Sequence, residues 1–250
     1  MVVSERSSPS VVGREDELAA VAAFLDAEPL GPAALVVEGD AGIGKTTIVR
    51  AALEHAQRAG LRVLIARPAA GETELPFAGL GDLLPGVGDD ALGALAAPQR
   101  EAIEVALGRS HGAVNEYALS RGVLELLRAW AVGGDVLLVV DDAQWLDRPT
   151  TSALAFALRR LGSVPLRALI AVRRENGAAA AAEPPLGVAE WEVLRRLIVG
   201  PMSVTELGAV LRHRLGEQLP RPRLEALHQS SGGNPMFALE LARQGNGRRV

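Results

Sequence analysis

The sequence has 250 residues, 48% of them hydrophobic and 22% charged, with a formal net charge of −4; that suffices for one large globular domain, or a domain with a small appendage, and excludes the bulk basic surface of a nucleic-acid binder. It contains no cysteine, which excludes disulfides and thiolate metal sites. Residues 1–10 hold no apolar signal core, and no apolar run approaches the ~20 residues of a membrane span, so the expectation is a cytoplasmic chain with no membrane partner.

Residues 1–10 read as a disordered lead. Glu15, Asp16 and Glu17 form an acidic cluster that suits the positive end of a helix. Leu18, Val21 and Leu25 recur at i, i+3 and i+7, giving that helix one apolar face to about residue 27. Pro29, Gly31 and Pro32 end it. Residues 34–38 are a short apolar strand, and residues 47–58 a helix. Between them lies Gly39-Asp40-Ala41-Gly42-Ile43-Gly44-Lys45-Thr46, which fits the phosphate-loop pattern in its required strand-loop-helix setting.

The chemistry of that loop asks for these residue types. Its glycines let the backbone bring N–H groups close to phosphate oxygens. The following helix N-terminus, with Thr47 in its first turn, adds unpaired N–H groups. Lys45 can reach the outer phosphates as a point charge, and Thr46 can offer a hydroxyl to a magnesium ion, which prefers oxygen ligands. The chain has 25 arginines and one lysine, Lys45. A chain so biased keeps lysine where a planar guanidinium is a poor substitute.

Gly60 reads as a helix C-cap, and residues 61–66 as a second strand, completing a βαβ unit with parallel pairing. Residues 68–115 are punctuated by glycine and proline. Short helices are expected over 77–84 and 99–107; Glu72 and Glu74 read as solvated, and no chemistry is assigned there. Residues 115–130 form an amphipathic helix with Leu119, Val123, Leu126 and Trp130 near one face, stopped by Gly133 and Gly134.

Residues 136–140 are consecutive apolar residues, a strand buried on both faces. Asp141 and Asp142 follow at its C-terminal end, where ligands bind in open parallel sheets. Asp141 is placed to hold magnesium, directly or through water; Asp142 can orient or deprotonate an attacking water. The competing reading is that they cap the next helix, but Asp147, with Pro149 in the first turn, fits that cap better. That helix spans about 149–161, with Leu154, Leu158 and Leu161 inward. A strand at 167–172 ends in Arg173, which either contacts a terminal phosphate or is a surface arginine. Residues 177–185 are alanine-rich and read as a mobile surface loop. The last strand covers roughly 194–198.

Gly200 and Pro201 mark a break between a core of residues 11–200 and a helical lid of residues 201–245, with a frayed tail at 246–250. Ser203 and Glu206 form a capping box. Leu207, Leu211 and Leu215 face inward, a second helix covers about 222–230, and a third opens with Pro235 after Gly232-Gly233-Asn234.

Several stretches together resemble the ATPase domain of the signal-transduction ATPases with numerous domains, and most of all the ATP-binding domain of large LuxR-type bacterial transcription regulators. They are Val12-Gly13-Arg14-Glu15 with Leu18, the phosphate loop, Glu74-Leu75-Pro76-Phe77-Ala78-Gly79-Leu80, Val139-Val140-Asp141-Asp142-Ala143-Gln144-Trp145-Leu146-Asp147, Gly200-Pro201-Met202-Ser203 and Gly232-Gly233-Asn234-Pro235. The resemblance covers about residues 11–245. It implies an α/β, three-layer P-loop NTPase fold with a parallel five-stranded sheet in the order 5-1-4-3-2 and a small C-terminal helical lid. It implies that Val12 and Gly13 border the adenine with Arg14 beside them, that Arg173 is the sensor arginine at the terminal phosphate, and that Pro235 touches the nucleotide from the lid. Lys45, Asp142 and Arg173 would carry the chemistry.

The implied activity is a slow, magnesium-dependent ATPase whose lid closes on ADP or opens with ATP, switching the regulator. Such proteins continue into helical repeats and a helix-turn-helix, whereas this sequence stops at Val250. It is therefore expected to be a fragment or a free-standing module, whose partners are nucleotide and either further copies or C-terminal regulatory domains, with no DNA contact assigned to it. The alternatives are a P-loop phosphotransferase acting on a small metabolite, although no substrate pocket is readable, and a nucleotide-binding scaffold without turnover.

Overall fold

The computed structural model describes residues 12–28, 30–132, 136–174, 184–216 and 218–246, with side chains to Gln244. The lead, Pro29, the stop at Gly133 and Gly134, most of the alanine-rich loop and the end of the tail lie outside the described residues.

The elements follow the apolar pattern of the sequence. Helix α1 (Glu15–Asp26) begins with its acidic cluster and buries Val21, Phe24 and Leu25. Strand β1 (Ala33–Gly39) is buried throughout and runs into the phosphate loop. Helix α2 (Lys45–Arg58) leaves that loop, and β2 (Arg62–Ala66) completes the first βαβ unit. The glycine- and proline-rich stretch folds into three short helices, α3 (Ala78–Leu83), α4 (Asp89–Gly93) and α5 (Ala97–Ala106). Of these α4 is not readable from the sequence. It is one turn long, without a side-chain cap, and has no periodicity to detect.

Helix α6 (Glu116–Val132) precedes β3 (Val136–Val140), and α7 (Arg148–Arg159) leads to β4 (Leu166–Arg173) and β5 (Val193–Ile198). The five strands pair in parallel in the order β2-β3-β4-β1-β5. This is the order the resemblance implied, and it puts every strand's C-terminal end on one side.

Side chains alternate across the sheet and divide the core into two clusters. On one face Leu35, Val37, Leu137, Val139, Leu169 and Ala171 pack against α1 and α2. On the other, Val136, Leu138, Val140, Ala168 and Ile170 pack against α3, α5, α6 and α7. Burial of each valine, leucine or isoleucine among them contributes about 1.5–3 kcal/mol. The two edge strands are the exceptions: β5 has no buried residue, and β2 is buried only at Leu64 and Ala66.

The helices α8 (Val204–Leu215), α9 (Arg221–Ser231) and α10 (Pro235–Asn246) close the chain. They form a third, separate cluster around Met202, Leu207, Leu211, Ala238 and Ala242. The expected capping box at α8 is present, with Glu206 N donating to Ser203 Oγ and Ser203 N to Glu206 Oε2. Among the described residues no helix is long and apolar enough to cross a membrane.

Candidate functional site

The C-terminal ends of β1, β3 and β4 converge on the phosphate loop. Gly42 and Gly44 take φ of +74° and +117°, conformations that a β-carbon would strain. At Gly39 a β-carbon would lie 2.8 Å from Ile43 Cγ2 and 2.9 Å from Val199 O, so only glycine lets the loop turn there. Gly44 is the N-cap of α2 and supplies no side-chain acceptor, so the first N–H groups of a 14-residue helix lack a side-chain partner. An anion is the natural complement of such an end.

Lys45 is buried, and its Nζ donates to Gly39 O and Asp40 O at 3.0 Å each. Burial pushes its ammonium below the ordinary lysine value; the Asp142 and Asp141 charges oppose that shift and Arg173 adds to it. Thr46 Oγ1 donates to Asp141 Oδ1 at 3.5 Å. Asp141 continues the line of β3, its N–H donating to Ala66 O, and it is 5% exposed. Burial lifts its carboxyl above the usual range and the neighbouring Asp142 charge lifts it further, while the Thr46 hydroxyl and Lys45 pull the other way. A hydroxyl and a carboxylate oxygen so placed are hard donors that fit magnesium. Magnesium usually takes few protein ligands and completes its shell with phosphate and water.

Asp142 lies in the left-handed region at φ +60°, and its Oδ1 accepts from Gln144 Nε2 at 2.8 Å. Arg173, the last residue of β4, is exposed and lines a hollow of about 700 Å³ with Asp40, Ala41, Ile43, Trp145 and Asn234. A second cavity, of about 260 Å³, lies on the other side of the loop, lined by Val12, Arg14, Gly42, Gly44, Thr47 and Pro235 among others. The predicted residues are thus gathered around the loop, split between its two sides. Gly39, Lys45, Thr46, Asp141 and Asp142 line neither hollow, and nor does Gly13. Gly13 packs on α8, where a β-carbon would be 2.9 Å from Glu206 Cβ.

Three side chains do more than the sequence disclosed. Arg14, 4% exposed, donates from Nη2 to Ile43 O and Gly200 O at 2.8 Å each and from Nη1 to Glu17. It ties the start of α1, the loop and the entry to the lid together, and its Nε is buried without a hydrogen-bond partner. Asn234 accepts at Oδ1 from Met236 N and Phe237 N, capping α10, and donates from Nδ2 to Ala41 O at 2.9 Å. An asparagine directly before a proline-initiated helix is a readable cap signal; its bond to the loop, 193 residues away in sequence, is not. Asp147 caps α7 as expected by accepting from Thr150 N, and also accepts from Phe77 N and Gly79 N. It thereby fixes the start of α3, where Phe77 has φ +64°.

The AAA ATPase domain family matches residues 10–171. The Orc1 protein of Aeropyrum pernix, solved in complex with DNA, superposes with a TM-score of 0.60 at 17% identity, over 97% of this chain and 62% of its own. Cdc6p of Pyrobaculum aerophilum gives 0.59 at 18% identity, over 98% and 66% respectively. A signal transduction ATPase with numerous domains and a tetratricopeptide repeat sensor, from Pyrococcus horikoshii, is also similar, with a TM-score of 0.44 at 16% identity over 94% and 30%. The chain spans less than two-thirds of the length of these structures, and at such identities the likeness to the first two is one of fold. No curated protein matches the sequence at a significant level. With its phosphate loop, strands β1 to β3, most of β4 and the carboxylates that follow β3 inside the matched stretch, the chain belongs to the AAA ATPase domain family.

Proposed function

We propose that this chain is an ATP-binding, magnesium-dependent nucleotide switch that hydrolyses slowly, with the helical lid as its moving part. The observation that carries the reading is the meeting of Lys45, Thr46 and Asp141 at one end of the sheet, with Thr46 Oγ1 3.5 Å from Asp141 Oδ1. Gly39 to Thr47 would cradle the phosphates with backbone N–H groups. Lys45 would exchange its two carbonyl partners for phosphate oxygens, a trade favoured by the charge of the new acceptor. Thr46 and Asp141 would hold magnesium, which when bound neutralises charge on the reacting phosphoryl group.

Asp142 would orient the attacking water and take its proton. The water oxygen bonds to the γ-phosphorus while the bond to the bridging oxygen breaks, its electron pair leaving on ADP. Arg173, in the hollow beside Asp40, would meet the terminal phosphate. The 260 Å³ cavity would take the base, between Val12 and Arg14 on one side and Pro235 on the other, with Gly13 shaping its wall through α8.

The Asn234 bond to Ala41 supports a lid that senses the loop. A role in a signal-responsive LuxR-type transcription regulator rests on the motif resemblance; in that setting the partners would be further copies or regulatory domains of the same protein. Calorimetric titration with ATP and ADP, in the presence of magnesium, tests the core of the reading. Lys45→Ala removes two charge-assisted bonds and should weaken affinity at least about thirtyfold. Equal affinity in the wild type and Lys45→Ala would overturn it.

A further inference from the structure

Strand β3 ends before β4 does. Their pairing stops at Val140↔Ile170, and the chain then turns away at Asp141 and Asp142. At the end of β4, Arg174 N donates to Gly39 O on the β1 side. Arg173 N, one residue earlier, faces the opposite side, where β3 no longer offers a carbonyl. Gln144 fills that place: its Oε1 accepts from Arg173 N at 3.0 Å, while its Nε2 donates to Asp142 Oδ1 at 2.8 Å.

Only one orientation of this amide satisfies both contacts. Turned over, it would set an NH₂ against an N–H and an oxygen against a carboxylate. The turn itself is held by Trp145 N donating to Asp142 O at 2.9 Å. Asp142 is held left-handed at φ +60°, a conformation unfavourable for a residue with a β-carbon. Gln144 therefore fixes the side chain of a residue whose backbone is already constrained.

We infer that Gln144 is a positioning residue for hydrolysis, one amide that sets the Asp142 carboxylate against the end of β4 and so holds it in register with Arg173. This inference rests on the proposed ATPase reading. Gln144 lines the same 700 Å³ hollow as Arg173 and Asp40, and its two hydrogen bonds go to Asp142 and Arg173 and not to the phosphate loop, so it acts on the transition state and not on ground-state binding. A neutral amide is required. Glutamate would keep the acceptor for Arg173 N but set a second anion against Asp142, and methionine would remove both bonds at similar size.

The test compares wild type, Gln144→Glu and Gln144→Met in three measurements: ATP and ADP affinity, steady-state kcat and KM, and the affinity of ADP with aluminium fluoride, which reports transition-state fit without turnover. Both variants should bind ATP and ADP within about twofold of wild type, while kcat and ADP–aluminium fluoride affinity fall about 10- to 100-fold, as for a lost bond to a charged group. Full activity and aluminium fluoride binding in Gln144→Glu would show that only the Arg173 bond matters and overturn the inference. So would ATP affinity falling in step with kcat in both variants, the mark of a general structural role. A wild type that binds no nucleotide would defeat the ATPase reading itself; a wild type that binds and hydrolyses, with two variants that match it, would defeat only this one.

Discussion

Asn234 offers the most direct test of the proposed lid. Its Oδ1 is committed to Met236 N and Phe237 N at 3.1 and 3.3 Å, which leaves Nδ2 directed at Ala41 O, 2.9 Å away. Aspartate caps a helix as well as asparagine does and suits the positive end of α10, so Asn234→Asp keeps the cap. It replaces the donor to the loop with an acceptor, setting a carboxylate oxygen against a carbonyl oxygen. Losing the bond costs about 1 kcal/mol, and leaving Ala41 O against an anion adds about 1–3 kcal/mol, so the lid–loop contact weakens by about 2–4 kcal/mol. At tenfold per 1.4 kcal/mol, release of the start of α10 from the loop becomes about 30- to 700-fold more frequent. Hydrogen exchange of nucleotide-free protein reads this directly, with the buried helix α6 as an internal control that should not change. Exchange at the start of α10 that is the same in Asn234→Asp and wild type would refute the argument, because it would mean that the bond to Ala41 holds nothing.

The other predictions concern two carboxylates. Asp141 holds its proton more tightly in the folded protein than in the unfolded chain. The folded state therefore carries the extra proton in that window, and the stability Asp141 contributes falls as pH rises from the ordinary carboxylate value through the raised folded one. Asp141→Asn should consequently raise the Tm of nucleotide-free protein at pH 7, with a smaller gain at pH 3, while abolishing the added stabilisation that magnesium gives to bound nucleotide; thermal unfolding at both pH values checks this, and an identical gain at each would contradict it. Asp147→Ala strips an acceptor from Phe77 N, Gly79 N and Thr150 N, in a side chain that is 2% exposed. It should destabilise the protein by about 3–5 kcal/mol in denaturant unfolding, and a change under about 1 kcal/mol would show that those groups find other partners.

What could be read in advance depended on the range of the interaction. The phosphate loop is local: its glycines, Lys45 and Thr46 lie in eight consecutive residues between two periodic segments. Asp141 was legible because an uninterrupted apolar strand points to its own C-terminal end. The strand order came from the resemblance, since nothing in periodicity says that β1 sits between β4 and β5. The short helix expected over 77–84 is present as α3, but what starts it was not legible. It is six residues long and is started by a carboxylate about 70 positions away, with Phe77 in a conformation its sequence does not favour. Arg14 was read only as a neighbour of the nucleotide, since its bonds to Ile43 O and Gly200 O join positions that the sequence keeps far apart. Gln144 stood inside a recognised motif, yet its role depends on the place where β3 stops, which composition cannot give.

The three lid helices bury their leucines among themselves, and that cluster shares no member with the two that sandwich the sheet. Swinging the lid away would therefore expose little greasy surface, and water can replace the few polar contacts that are broken. Such a movement has a low thermodynamic threshold, within reach of the binding energy of one small anionic ligand, while the body beneath it keeps its shape.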